Sequence, residues 1–104
     1  MKRIIFCVLL VLCGYLNACN SSTQTSGKLL ESGLSIYRSY CASCHGSKGN
    51  AGIGGAKNLT TAIVSAAEAT AIITNGKGAM KQYGNQLTKE QIDSVVVYVI
   101  GLRK

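Results

Sequence analysis

The chain has 104 residues, a formal net charge of +7, one histidine, five cysteines, and neither proline nor tryptophan. That length holds one small domain. The lysines are scattered, with no basic run and no interleaved aromatics, so the charge gives no footing for nucleic-acid binding.

The first element is a leader. Met1-Lys2-Arg3 is a basic start, Ile4 to Leu16 is an almost unbroken apolar run, and Leu16-Asn17-Ala18-Cys19 ends it with a small residue before a cysteine. The run is too short to span a bilayer comfortably and reads as a secretory signal. Its ending resembles a bacterial lipoprotein signal, which implies a signal peptide over 1–18 and a lipidated Cys19 at the head of the mature chain. An ordinary secretory signal or an uncleaved anchor is the alternative. Two or more acyl chains suffice to hold a small protein on a membrane. Without Lys2 and Arg3, nine basic residues face four acidic ones, an excess suited to acidic protein partners or an anionic membrane surface.

Residues 19–27 hold no apolar run to bury, and Asn20 to Gly27 is small and polar throughout; this stretch is expected to be a flexible tether. The folded domain is expected over 28–104, with no internal repeat. From Leu30, the residues Leu30, Gly33, Leu34, Tyr37, Cys41 and Cys44 recur at helical spacing, predicting an amphipathic helix whose last turn carries the cysteines.

That turn, Cys41-Ala42-Ser43-Cys44-His45, gathers two thiols and the only histidine. A C-x-x-C-H spacing puts both thiols on one side of a helical turn and leaves the next residue able to aim its imidazole at a metal. These are the needs of covalent haem c: two thioether bonds to the porphyrin edge and one axial nitrogen. A thioredoxin-like dithiol, half of a zinc site, or a plain disulfide are the competing readings. The other cysteines, Cys7, Cys13 and Cys19, lie in or at the end of the leader and offer no second zinc pair.

After His45, five glycines in ten residues form a loop fit to follow a flat ligand closely with its backbone. Leu59 leaves that loop as a candidate apolar contact on the histidine side. Ser65 and Glu68 fit a capping box opening a short helix that Asn75-Gly76 stops. Next comes Met80, the only methionine beyond the start codon, on a glycine-containing loop 35 residues past His45. Methionine is ordinarily a core filler. Flanked by lysines and glycines, its thioether is instead a candidate sixth ligand for a haem iron. In the last element, Val95 to Ile100 has strand propensity, but Thr88 with Gln91 as capping box and Leu87 with Ile92 as staple decide for a helix. Ile92, Val95, Val96, Val99 and Leu102 share its apolar face, flanked by Tyr98.

From Lys28 to Lys104 the chain resembles a small bacterial class I cytochrome c of the compact, lipid-anchored monohaem type. Gly33 and Tyr37 stand eight and four residues before Cys41, where that family packs its first helix on its last, and Val95 and Tyr98 match the partner positions. The resemblance implies an all-α fold of three to four helices around one covalent haem c. Cys41 and Cys44 are the attachment points, His45 the proximal ligand and Met80 the distal ligand. It further implies a carrier of single electrons rather than an enzyme, serving membrane-associated redox partners in the bacterial cell envelope. Two alternatives are a dedicated haem subunit of an envelope oxidoreductase complex, and a haem sensor or weak peroxidase if Met80 is labile. Unlike many relatives, the chain has no proline after the methionine and none in the loop whose carbonyl orients the histidine. Lys81 follows Met80, and a looser distal loop is expected.

Overall fold

The structure, a computed structural model, describes residues 21–104. The leader over 1–18 and Cys19 lie outside the described residues. Among the described residues, four α-helices follow in order: α1 (Ser21–Tyr40), α2 (Ala42–His45), α3 (Ala66–Asn75) and α4 (Lys89–Gly101), with a short 3-10 turn at Ile53–Gly55. Among the described residues there is no strand, only an isolated bridge between Lys77 and Met80. The all-α expectation holds.

Helix α1 starts seven residues earlier than the expected domain edge. Ser21 to Gly27, expected as part of a flexible tether, is helical. Once a helix is nucleated, each added residue gains one backbone bond, so even poor formers can prolong it. Residues 25–28 are exposed and burial begins at Leu29. The buried stripe of α1 is Gly33, Ile36 and Tyr37. Leu30, expected on that stripe, is 44% exposed one turn ahead of it, and Cys44 is exposed as well.

The cysteines do not ride on the last turn of α1. The helix breaks at Cys41, whose φ of −113° departs from helical geometry, and restarts as α2. The break is slight: Cys41 N–H still donates to Tyr37 O at 2.9 Å and His45 N–H to Cys41 O at 3.0 Å.

Helix α4 forms despite its valine run because its start is specified. The Thr88 side chain accepts from Gln91 N–H, and the Gln91 side chain accepts from Thr88 N–H, a complete capping box. Leu87 and Ile92 beside it are both buried. At α3, Ser65 accepts from Glu68 N–H and Gly76 ends the helix.

Helices α1 and α4 cross where Gly33 lies. A Cβ there would stand 2.2 Å from the Ser94 carbonyl oxygen and 2.9 Å from Tyr98 Cβ, so only glycine permits this approach. Close to the crossing the Tyr37 and Tyr98 rings meet at 5.0 Å between centroids. Tyr37 and Val95 are fully buried, and Ile36, Ala69, Ile73, Tyr83, Leu87, Ile92, Val96 and Val99 complete the core. The chain's end is tied down by Lys104 N–H donating to Thr60 O at 3.1 Å and the Arg103 guanidinium donating to Val64 O. Arg103 thus pins the loop between Leu59 and α3.

Candidate haem-attachment site

The Cys41–His45 turn is held at both ends by tyrosine hydroxyls. Tyr37 Oη donates to the Gly46 carbonyl at 2.7 Å, and Tyr83 Oη donates to the Tyr40 carbonyl at 2.9 Å. Burial is the main reason that the Tyr37 hydroxyl is raised to about 12 and that Tyr83 is raised in the same direction. Both therefore remain protonated donors across the physiological range.

Cys41 and Cys44 are free thiols, so the disulfide reading fails. Burial, aided by the neighbouring Cys44, pushes the Cys41 thiol up to about 11. A redox-active dithiol needs the opposite, a thiolate favoured by its surroundings. Nor do Cys41, Cys44 and His45 converge on one point: among the described residues no three His, Cys, Asp or Glu side chains could hold a metal ion together. A zinc site needs such convergence. Thioether attachment does not, because the sulfurs bind the edge of a macrocycle whose metal lies at its centre.

His45 is oriented by the loop that follows it. Its Nδ1 lies 2.9 Å from the Lys57 carbonyl oxygen. A carbonyl only accepts, so Nδ1 carries the proton and Nε2 is left with its lone pair for a metal. The loop is folded for this contact by Ala51 N–H donating to His45 O at 2.9 Å and Leu59 N–H donating to Gly49 O at 2.7 Å. Leu59 is half-buried against the core.

Met80 closes a tight reversal. Lys77 and Met80 exchange backbone hydrogen bonds of 3.2 and 3.0 Å around Gly78, whose φ of 59° is the glycine-first pattern of a II′ turn. The turn needs no proline, because paired backbone bonds and a left-handed glycine define it. It is anchored on α3 by Tyr83 N–H donating to Ile73 O and Gly84 N–H donating to Thr74 O, both at 3.0 Å. Met80 and Cys41 are both partly buried and flank the same apolar core.

Sequence reading supplied Cys41, Cys44, His45 and Met80, and the structure sets the first three on one turn. It expected a carbonyl between Gly52 and Leu59 to receive the other His45 nitrogen but did not single out Lys57, since any residue carries one, and it missed the bond from Tyr83 to Tyr40, whose ends lie 43 residues apart. An aromatic three residues past the methionine was the visible trace of the latter.

The donor set fits a haem c: two free thiols in C-x-x-C spacing, an imidazole whose Nδ1 is bonded to a carbonyl, and a half-buried thioether beside the same core. Residues 28–99 match the family model of cytochrome c oxidase, cbb3-type, subunit III. The chain is 40% identical over 74 residues to a cytochrome c6 of Leptolyngbya boryana, covering 65% of this chain and 86% of the relative. It is 34% identical over 114 aligned positions to a cytochrome c6 of a Nostoc species, covering 97% and 94%. No solved structure matches the chain. Fold, attachment turn and relatives agree, and the chain belongs to the small class I monohaem cytochromes c, with one covalently bound haem c.

Proposed function

We propose that this cytochrome carries single electrons between membrane-associated redox proteins of the bacterial cell envelope, tethered there by a lipid on Cys19. Cys41 and Cys44 would hold the haem through thioether bonds, and His45 and Met80 would supply an imidazole and a thioether to its iron. The haem supplies a ferric/ferrous couple. The chain's own residues prepare the ligands: the Lys57 carbonyl fixes the proton on His45 Nδ1, and the Lys77–Met80 turn presents the thioether. With His45 and Met80 both committed to the iron, no substrate would reach it, and electron transfer would be outer-sphere.

The observation that carries this reading is the His45 Nδ1 contact with the Lys57 carbonyl, which leaves the Nε2 lone pair available to a metal. The cytochrome c6 relatives support a carrier role. No described helix is long and apolar enough to cross a membrane, and the leader motif ending in Cys19 supports a lipid anchor. The lysine excess favours partners with acidic docking surfaces.

The test is an oxidised and reduced absorption spectrum of the holoprotein matured in a bacterial envelope, with electron exchange measured against redox proteins from the same membranes. A c-type spectrum with the weak near-infrared sulfur-to-iron band, together with rapid exchange, is expected. A holoprotein that exchanges electrons with none of them would sink the carrier role.

A second reading has its own support. The matching family model describes an oxidase subunit, which favours a haem subunit docked permanently in an envelope oxidoreductase. Stoichiometric co-purification with a larger enzyme would select it over a diffusing carrier.

A further inference from the structure

The two tyrosines that bracket the Cys41–His45 turn are not equivalent. Tyr37 belongs to α1, and its bond to Gly46 joins the turn to the helix it grows from. Tyr83 belongs to the methionine segment, and its bond to Tyr40 joins residues 43 apart in sequence. That segment is otherwise anchored on α3, through the backbone bonds of Tyr83 to Ile73 and Gly84 to Thr74. The Tyr83 ring is 7% exposed, meets the Tyr40 ring edge-on with centroids 6.0 Å apart, and has Lys81 Nζ 5.3 Å from its centroid. One buried side chain thus reaches from the methionine segment to the residue directly before Cys41.

We propose that Tyr83 is a positioning residue for the distal ligand: its hydroxyl, bonded to the Tyr40 carbonyl, fixes the Met80 segment against the turn that carries both thioethers and His45. The inference rests on the reading of Met80 as the sixth ligand. A thioether is a weak, neutral ligand, so the strength of its bond depends on how closely the protein frame holds it in place. In a chain without proline the frame is made of hydrogen bonds, and this one spans the two halves of the site.

The test compares Tyr83→Phe with Tyr37→Phe in the holoprotein. Each variant keeps its ring and loses one hydroxyl bond to a carbonyl flanking the attachment turn, so both are expected to fold and to lower Tm by a similar few degrees. Only Tyr83→Phe is expected to weaken the sulfur-to-iron band and to raise the affinity of the ferric protein for imidazole, by about fivefold, the factor that one net hydrogen bond is worth. Unchanged imidazole affinity and an unchanged band in Tyr83→Phe overturn the proposal, as does an equal change in Tyr37→Phe. If the unsubstituted protein lacks the sulfur band, the Met80 assignment fails and the proposal fails with it. If that band is present and Tyr83→Phe retains it in full, the positioning role alone is lost.

Discussion

His45 depends on Lys57 through a main-chain oxygen, so the lysine side chain is dispensable for the contact. Lys57→Ala is expected to leave the low-spin spectrum and the potential unchanged; a shifted potential would assign the ordering role to the side chain instead. Met80→Ala is expected to open the iron to exogenous ligands and to lower the potential, since removal of a soft thioether disfavours the ferrous state. A spectrum and potential like those of the unsubstituted protein would refute Met80 as a ligand. Tyr37 makes a pH prediction. Its folded value of about 12 lies above the ordinary 10, so the folded state holds this proton more tightly than the unfolded chain. The resulting stability is complete below pH 10 and is lost as pH rises from 10 to 12. The smaller contribution of Cys41 comes from its ionised sulfur and would vanish on thioether attachment, whereas burial remains. Chemical denaturation across pH 9–12 should show the decline, and Tyr37→Phe should flatten it.

At the scale of elements, the crossing of α1 and α4 is fixed by the absence of one methyl group. A Cβ on Gly33 would penetrate the Ser94 carbonyl, a backbone atom inside α4 that cannot move aside as a side-chain tip can. Gly33→Ala is therefore expected to destabilise the holoprotein by about 3 kcal/mol, at the upper end for overpacking, despite alanine's higher helix propensity. A gain in stability would mean that the helices do not cross here. The N-terminus of α4 is a milder case. Thr88→Ala removes the acceptor for Gln91 N–H and should cost about 1 kcal/mol in a urea titration with an unchanged slope. The caps also explain why six consecutive β-branched and aromatic residues from Val95 to Ile100 form a helix: Ile92, Val95, Val96 and Val99 fall on one buried face at helical period, which outweighs their strand preference.

At the scale of the whole molecule, the core of the described domain is small and is built mainly between α1, α3 and α4. The covalent haem c adds the apolar centre that so short a chain cannot supply alone. The prediction at this scale concerns delivery. Cys19→Ser is expected to move the protein from the membrane fraction to the soluble envelope fraction while leaving its spectrum intact. Retention on the membrane would refute the lipid anchor and favour an uncleaved leader.

The sequence by itself determined the chemistry. Cys41, Cys44 and His45 lie within five consecutive residues, so their spacing alone places two thiols and an imidazole on one turn, and Thr88 and Gln91 act through each other at a fixed helical offset. Its reading of local order was less secure at element ends: Ser21 to Gly27 is helical where composition suggested a tether, and the helix breaks at Cys41 where periodicity suggested continuity. Only the tertiary structure decided which carbonyl orients His45 and which side chain ties the methionine segment to the attachment turn. Both contacts use backbone acceptors, which every residue possesses, and they join positions 12 and 43 residues apart. No residue type marks such a partner in advance; it is selected by the path of the folded chain.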